Sequence, residues 1–286
     1  MQSVNVLTSN TSLYGFVSAI EGIEEAAREA GFLMGVRVVE SADPAHVRAA
    51  IEHAIEPAGA IIVIAFERPS FAALESLPAD VLATSMIPAP IDGEVQAKPA
   101  VWIDERAAAK EATRYLLSLG HETVHHLSIP SWTGTTGRMS AWRSALEEAG
   151  LPVPRPLLGG WSAESGYKAG QKLARNPKVT AVLCGNDDLA LGVIRAMNDA
   201  GRSVPADVSI IGFDDVPLAR FYTPPLTTVR QDFKALGKVC FAKLLALVEP
   251  DRPAERLPYP QAQLVIRDSA GPPPGAVARS RPKRRA

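Results

Sequence analysis

Short runs of branched apolar residues alternate with amphipathic stretches along most of this chain. That alternation limits the fold more than any single motif does. Residues 4–8, 33–39, 60–65 and 80–84 read as strands. Between them, residues 15–30 set Phe16, Ile20, Ile23 and Ala27 at helical spacing, with Gly31 just past the helix end. Pro44–Ile55 sets Val47, Ile51 and Ile55 on one face, with Pro44 in the first turn. The run 60–65 is apolar throughout, the pattern of a strand covered on both faces. A βαβαβ order of this kind predicts an α/β fold, a parallel sheet between two helix layers.

The pattern then starts again. Strands are expected at 99–103, 123–128, 155–158, Ala181–Cys184 and 209–213. Helices are expected at 107–119, 137–149, 162–175 and 187–200, the first, second and fourth closed by Gly120, Gly150 and Gly201. A last amphipathic helix covers 232–247, and two short strand-like pieces follow at 256–257 and 262–267. Two successive α/β sets in 286 residues predict two sub-domains with a cleft between them, a favoured place for a small ligand. From Gly271 onward the composition turns Pro-rich and then Arg-rich, which predicts a disordered tail.

Charge argues against a nucleic-acid surface on the folded part. Formal net charge is −1, yet Arg279, Arg281, Lys283, Arg284 and Arg285 lie in the last eleven residues without an acid among them. Setting those five aside leaves the rest near −6. The basic tail reads as a solvated end. Cys184 and Cys240 sit in apolar segments without metal-ligand spacing and read as reduced core thiols. No secretion signal opens the chain and no apolar run is long enough to span a membrane, so a cytoplasmic location is expected. His125-His126 lies within an apolar strand with no third ligand, and no metal or other cofactor is implied. Gly134-Thr135-Thr136-Gly137 is too short for a phosphate-binding loop, and no catalytic triad is present; an enzyme is not expected.

The polar signal is concentrated at two strand ends. Ala181–Cys184 runs into Gly185-Asn186-Asp187-Asp188, and strand 209–213 runs into Asp214-Asp215. Open parallel sheets bind ligands at the carboxyl ends of their strands. Hydrogen-bonding groups there, without a nucleophile or base, point to recognition rather than chemistry.

Three runs carry a family likeness: Asn186-Asp187-Asp188-Leu189-Ala190-Leu191-Gly192, then residues 204–215 (VPADVSIIGFDD), then residues 223–231 (TPPLTTVRQ). Together with residues 22–27, Leu119-Gly120-His121 and Arg267-Asp268-Ser269, they resemble the effector-binding core of lactose-repressor-type (LacI/GalR) transcription regulators. The resemblance spans residues 4–273. It implies a two-lobed periplasmic-binding-protein-like fold with three crossovers, near 103–104, 230–232 and 257–261. The first lobe would hold residues 1–103 and 232–260, the second 104–231 and 261–273, and 274–286 would be the tail.

The resemblance also implies effector contacts. Ser9 matches a position that touches a sugar hydroxyl, and Arg138 matches the effector-binding arginine, whose rigid donor fork suits oxygen atoms. Trp161 matches an aromatic that packs on a sugar ring. Asn186 and Asp214 match polar contacts, Gln231 and Asp104 lie at crossovers, and Trp132 sits in a polar loop able to cover the cleft. Asp187 reads better as a helix N-cap and Asp215 as a loop anchor, while Trp142 leans towards the core.

Two departures stand out. The family's type member carries an Asp after the strand equivalent to 80–84, where this chain has Ala83-Thr84-Ser85-Met86, and Tyr14-Gly15-Phe16 replaces a common Asn-Pro-Phe. The family's helix-turn-helix has no counterpart in the sequence, which starts at the first strand of the core. The expected function is an effector-sensing and dimerisation module of a regulator. Its ligand would be a small molecule, most simply a carbohydrate. It would form a homodimer, without the leucine heptads of tetrameric relatives, with contacts from helices such as Pro44–Ile55 and 71–77, and would reach operator DNA only through the helix-turn-helix. The rival expectation is a transport-type sugar-binding protein of the same fold.

Overall fold

A computed structural model describes residues 2–56, 59–90, 98–131, 136–252 and 257–275. Trp132, most of its loop and the basic tail lie outside the described residues. The chain forms two compact units, Met1–Asp104 with Gln231–Ala262, and Glu105–Arg230 with Gln263–Ala286.

The first unit holds strands β1 (Ser3–Thr8), β2 (Leu33–Val38), β3 (Ala60–Ile64), β4 (Leu82–Met86) and β5 (Ala100–Val101). They form one sheet in the order β2-β1-β3-β4-β5, every pair parallel. Successive residues of β3 point to opposite faces, and both faces are covered, which explains its unbroken apolar run. Ile62 and Ile64 join the core beneath α1 (Tyr14–Glu29) and α8 (Phe233–Val248). Ile61 and Val63 join the core beneath α2 (Pro44–Ile55) and α3 (Arg68–Glu75). Helix α8 thus belongs to the first unit although it follows the second in sequence. Its backbone nearly touches that of α1: a Cβ on Gly22 would stand 2.0 Å from Lys234 O, and one on Gly237 would stand 2.4 Å from Ala19 O. Only glycine permits that approach.

The second unit holds α4 (Arg106–Ser118), β6 (His125–Ser128), α5 (Gly137–Glu148), β7 (Leu157–Leu158), α6 (Ala163–Ala174), β8 (Ala181–Cys184), α7 (Asp187–Asp199), β9 (Ser209–Asp214), β10 (Thr227–Arg230) and β11 (Gln263–Val265). The sheet order is β11-β10-β9-β8-β6-β7, parallel except for β11, which runs antiparallel to β10. His121 ties its base together, with Nδ1 3.0 Å from Thr180 Oγ1 and Nε2 3.0 Å from the Gly271 carbonyl.

Several expectations shift. β4 lies two residues later than expected, β5 and β7 shrink to two residues each, and Leu257 carries no strand. β10 was not foreseen. Its Thr227 and Thr228 are fully buried, and each hydroxyl is bonded: Thr227 Oγ1 accepts from Arg267 N at 2.9 Å, and Thr228 Oγ1 donates to Asp187 at 2.5 Å. A central strand made of satisfied hydroxyls leaves no apolar pattern to read.

Candidate functional site

The polar group of the second unit is assembled at the carboxyl ends of β8 and β9. Helix α5 starts with Thr136, whose hydroxyl accepts from Met139 N at 3.1 Å. That cap fixes the first turn and aims Arg138 inward, where it is buried. Arg138 Nε donates to Glu105 Oε2 at 2.7 Å, Nη1 donates to the Gly185 carbonyl, and Nη2 lies 3.6 Å from Asp214 Oδ1. The guanidinium stacks over Phe213, 4.1 Å from the ring centroid. Burial works against the Arg138 charge, but Glu105 and Asp214 outweigh it and hold the group above its ordinary value.

Behind this pair lies Asp187, fully buried at the start of α7. It accepts from Val216 N at 2.8 Å and from Thr228, and a Cβ on Gly212 would stand 2.1 Å from its Oδ1. Burial, then repulsion from Asp214, pushes the Asp187 carboxyl well above the usual carboxylate range. The N-cap of α7 is Asn186, which accepts from Leu189 N at 2.8 Å and donates to the Trp161 carbonyl at 3.0 Å. The N-cap role expected of Asp187 is therefore corrected. The residue one place earlier caps the helix, which turns Asp187 inward to brace the loop after β9.

Asp214 and Asp215 both take positive φ, 108° and 56°. Such backbone is costly for residues with a Cβ and persists where surrounding contacts fix it. Asp215 supplies that fixing, paired with Arg230 at 2.7 Å and Arg267 at 2.6 Å, as a loop anchor should be. Trp161 packs, partly buried, against the core between the sheet and α6 and α7. Trp142 is a core residue, its Nε1 donating to the Val124 carbonyl at 2.8 Å and its ring stacked on His126. Both thiols are buried, and burial raises each of them, so neither is primed to react.

The first unit gathers a different group at its own carboxyl edge. Ser9, just after β1, donates to Glu67 Oε2 at 2.9 Å and lies 3.2 Å from Ser70 Oγ. Asp104 is exposed after β5, and Gln231 is buried after β10. Asn186 and Asp214, expected at neighbouring strand ends, follow β8 and end β9; Arg138, expected to open a helix, lies in the first turn of α5 beside Asp214; and Trp161 meets Asn186 through its carbonyl. Glu105 and Glu67 are not among the residues expected from the sequence. Glu67 follows β3 of its own sheet by three residues, a position that could have found it, whereas Glu105 lies four residues past β5 of the first sheet and is the residue just before α4 of the second unit.

No group of three or more His, Cys, Asp or Glu side chains able to hold a metal occurs among the described residues, and no described helix is long and apolar enough to cross a membrane. Residues 113–270, more than half of the chain, match the family described as periplasmic binding protein-like domain. The chain belongs to that family. The HTH-type transcriptional repressor PurR of Shigella dysenteriae is 41% identical over 138 residues, 47% of this chain and 40% of the relative. The chain thus spans less than half the length of that curated relative. The structure of a dimeric Lac repressor with a C-terminal deletion superposes with a TM-score of 0.81 at 25% identity, covering 95% of this chain and all of the other. A LacI family transcriptional regulator from Enterococcus faecium with bound ribose gives 0.77 at 25% identity, covering 95% and 99%.

Proposed function

We propose that this chain is the effector-sensing module of a transcription regulator and that its effector is a small polyhydroxylated molecule, a carbohydrate in the simplest case. The observation that carries the reading is the Arg138–Asp214 pair at the carboxyl end of β9. A donor and an acceptor stand 3.6 Å apart, too far for a good direct hydrogen bond and well placed for a hydroxyl that accepts from one and donates to the other. Trp161, partly buried beside Asn186, offers an aromatic face to the apolar side of a sugar ring. Ser9 and Glu67 repeat the hydroxyl-recognising chemistry at the edge of the first sheet.

The bound ribose of the Enterococcus faecium regulator supports the ligand class, and the dimeric Lac repressor supports a homodimer. The output is operator DNA, read by a helix-turn-helix of the kind for which the PurR relative is named. An effector acts here by favouring one arrangement of the protein, a coupling of about 1–3 kcal/mol in such systems.

The test is a thermal-shift screen with glucose, galactose, ribose, sucrose, cellobiose and free purines. At least one neutral sugar is expected to raise the melting temperature in a concentration-dependent way, since a ligand of the native state stabilises it by mass action. Trp161→Ala should weaken that ligand about tenfold or more. Shifts from purines alone, or from nothing, would remove the carbohydrate reading, and unchanged affinity in Trp161→Ala would remove the stacking role.

A further inference from the structure

The arginine at the heart of the site is already occupied. A guanidinium at a strand end is the natural partner of a carboxylate or phosphate, which it grips with two parallel N–H bonds. In this chain the Nε edge of that fork is closed by Glu105 at 2.7 Å, Nη1 is drawn to the Gly185 carbonyl, and one face lies on Phe213. The Glu105 side chain is only 14% exposed, so solvent does not draw it away from Arg138. An anion approaching the remaining nitrogen, Nη2, meets Asp214 on the same nitrogen at 3.6 Å. One cation thus faces two carboxylates, with the buried Asp187 behind them.

We infer that Glu105 is a specificity-determining residue: it fills the anion-binding edge of Arg138 with the protein's own carboxylate and so restricts the site to uncharged, hydroxyl-bearing effectors, turning away sugar phosphates and sugar acids. The inference rests on the effector reading of this site and narrows its ligand class. Like charges held close in a partly buried site repel far more strongly than in water. A carboxylate or phosphate would have to displace Glu105 or lie against Asp214. A hydroxyl meets neither obstacle, because it donates a hydrogen bond to Asp214 while accepting one from Nη2. The same pairing supplies the counter-charge that the buried guanidinium requires with no ligand bound, so the arginine stays in place before the effector arrives.

The test uses probes that share a skeleton: glucose against glucose 6-phosphate, ribose against ribose 5-phosphate, and inorganic phosphate against chloride at equal ionic strength. Thermal shift and calorimetric titration are read on the wild type, Glu105→Gln and Asp214→Asn. In the wild type, a neutral sugar that binds should exceed its phosphate at least tenfold, and inorganic phosphate should stabilise no more than chloride. Glu105→Gln should narrow the sugar-to-phosphate ratio at least tenfold and gain stabilisation by inorganic phosphate, and Asp214→Asn, which also lightens the negative charge, should move the same way. Stabilisation of the wild type by phosphate, or an unchanged phosphate response in both variants, would overturn the inference. If no sugar shifts any variant while phosphate stabilises only the variants, the carbohydrate reading fails and the role of Glu105 stands.

Discussion

At the carboxyl edge of the first sheet the polar groups are small and loosely held: Ser9, Ser70 and the Glu67 carboxylate, joined by two contacts of 2.9 and 3.2 Å. At the same edge of the second sheet a buried guanidinium sits among Glu105, Asp214 and Asp187, over an aromatic ring and beside two residues in left-handed backbone. The two sheets share a topology and a boundary chemistry, yet only the second builds a network that must be complete to be tolerated. At the first edge Ser70 is buried, but Ser9 and Glu67 are partly exposed, so loss of the Ser9 hydroxyl leaves the Glu67 carboxylate within reach of water. A member lost from the second leaves charge in a place water does not reach.

The sharpest way to break this contrast is Arg138→Ala. It removes the counter-charge from two carboxylates and should cost roughly 3–5 kcal/mol in urea unfolding, with loss of any sugar response. A cost below about 1 kcal/mol would mean that the second edge is no more demanding than the first.

Acid should separate the two edges as well. His126, in the second sheet, donates from Nδ1 to the Leu183 carbonyl at 2.9 Å, while its buried Nε2 meets no acceptor among the described residues, which disfavours the charged ring. Burial, with some help from the Arg138 charge, pushes it down to about 4 from an ordinary value near 6.5. A depressed native value means that the contribution is complete above about pH 6.5 and is lost as the pH falls towards 4. The full loss is roughly 3 kcal/mol if the whole difference is expressed. His126→Phe, which keeps the stack on Trp142, should flatten that acid limb and carry a constant penalty for the lost hydrogen bond. Parallel pH profiles for variant and wild type, from urea midpoints between pH 4 and 8, would exclude His126 as the titrating group. Asp187 acts with the opposite sign: its raised native value makes stability fall as pH rises above the ordinary carboxylate range.

The smallest effects belong to the first edge. Glu67→Gln and Ser9→Ala should each cost less than about 1 kcal/mol, the scale of a single partly exposed hydrogen bond. Each should weaken a bound sugar less than tenfold. A Glu67→Gln penalty as large as that of Arg138→Ala would erase the distinction between the edges.

Much of this was legible in advance for a simple reason. A strand covered on both faces must be apolar throughout, and 60–65 and 181–184 announce themselves on that ground. Pro44–Ile55 matches its expected bounds because Pro44 suits a first turn and Val47, Ile51 and Ile55 recur at helical spacing, and the structure adds the Asp43 cap. β10 was hidden because its buried threonines are satisfied by Asp187 and by the segment that carries Arg267, neither of them a sequence neighbour. At the site, Arg138, Asn186 and Asp214 were named from their motifs, while Glu105 was overlooked beside the named Asp104. Of two adjacent acids before α4, the turn decides which one faces inward, and the partner it meets lies 33 residues away.

The sequence by itself determined the alternation, the parallel sheets and the strand ends that carry polar residues, because these follow from local period and capping. Only the tertiary structure decided which residues answer one another there. It set Glu105 against Arg138, turned Asp187 inward while Asn186 took the cap, and sent α8 back to the first unit. Such pairings depend on burial, which removes water as a partner and makes each buried charge find its complement wherever the fold places it.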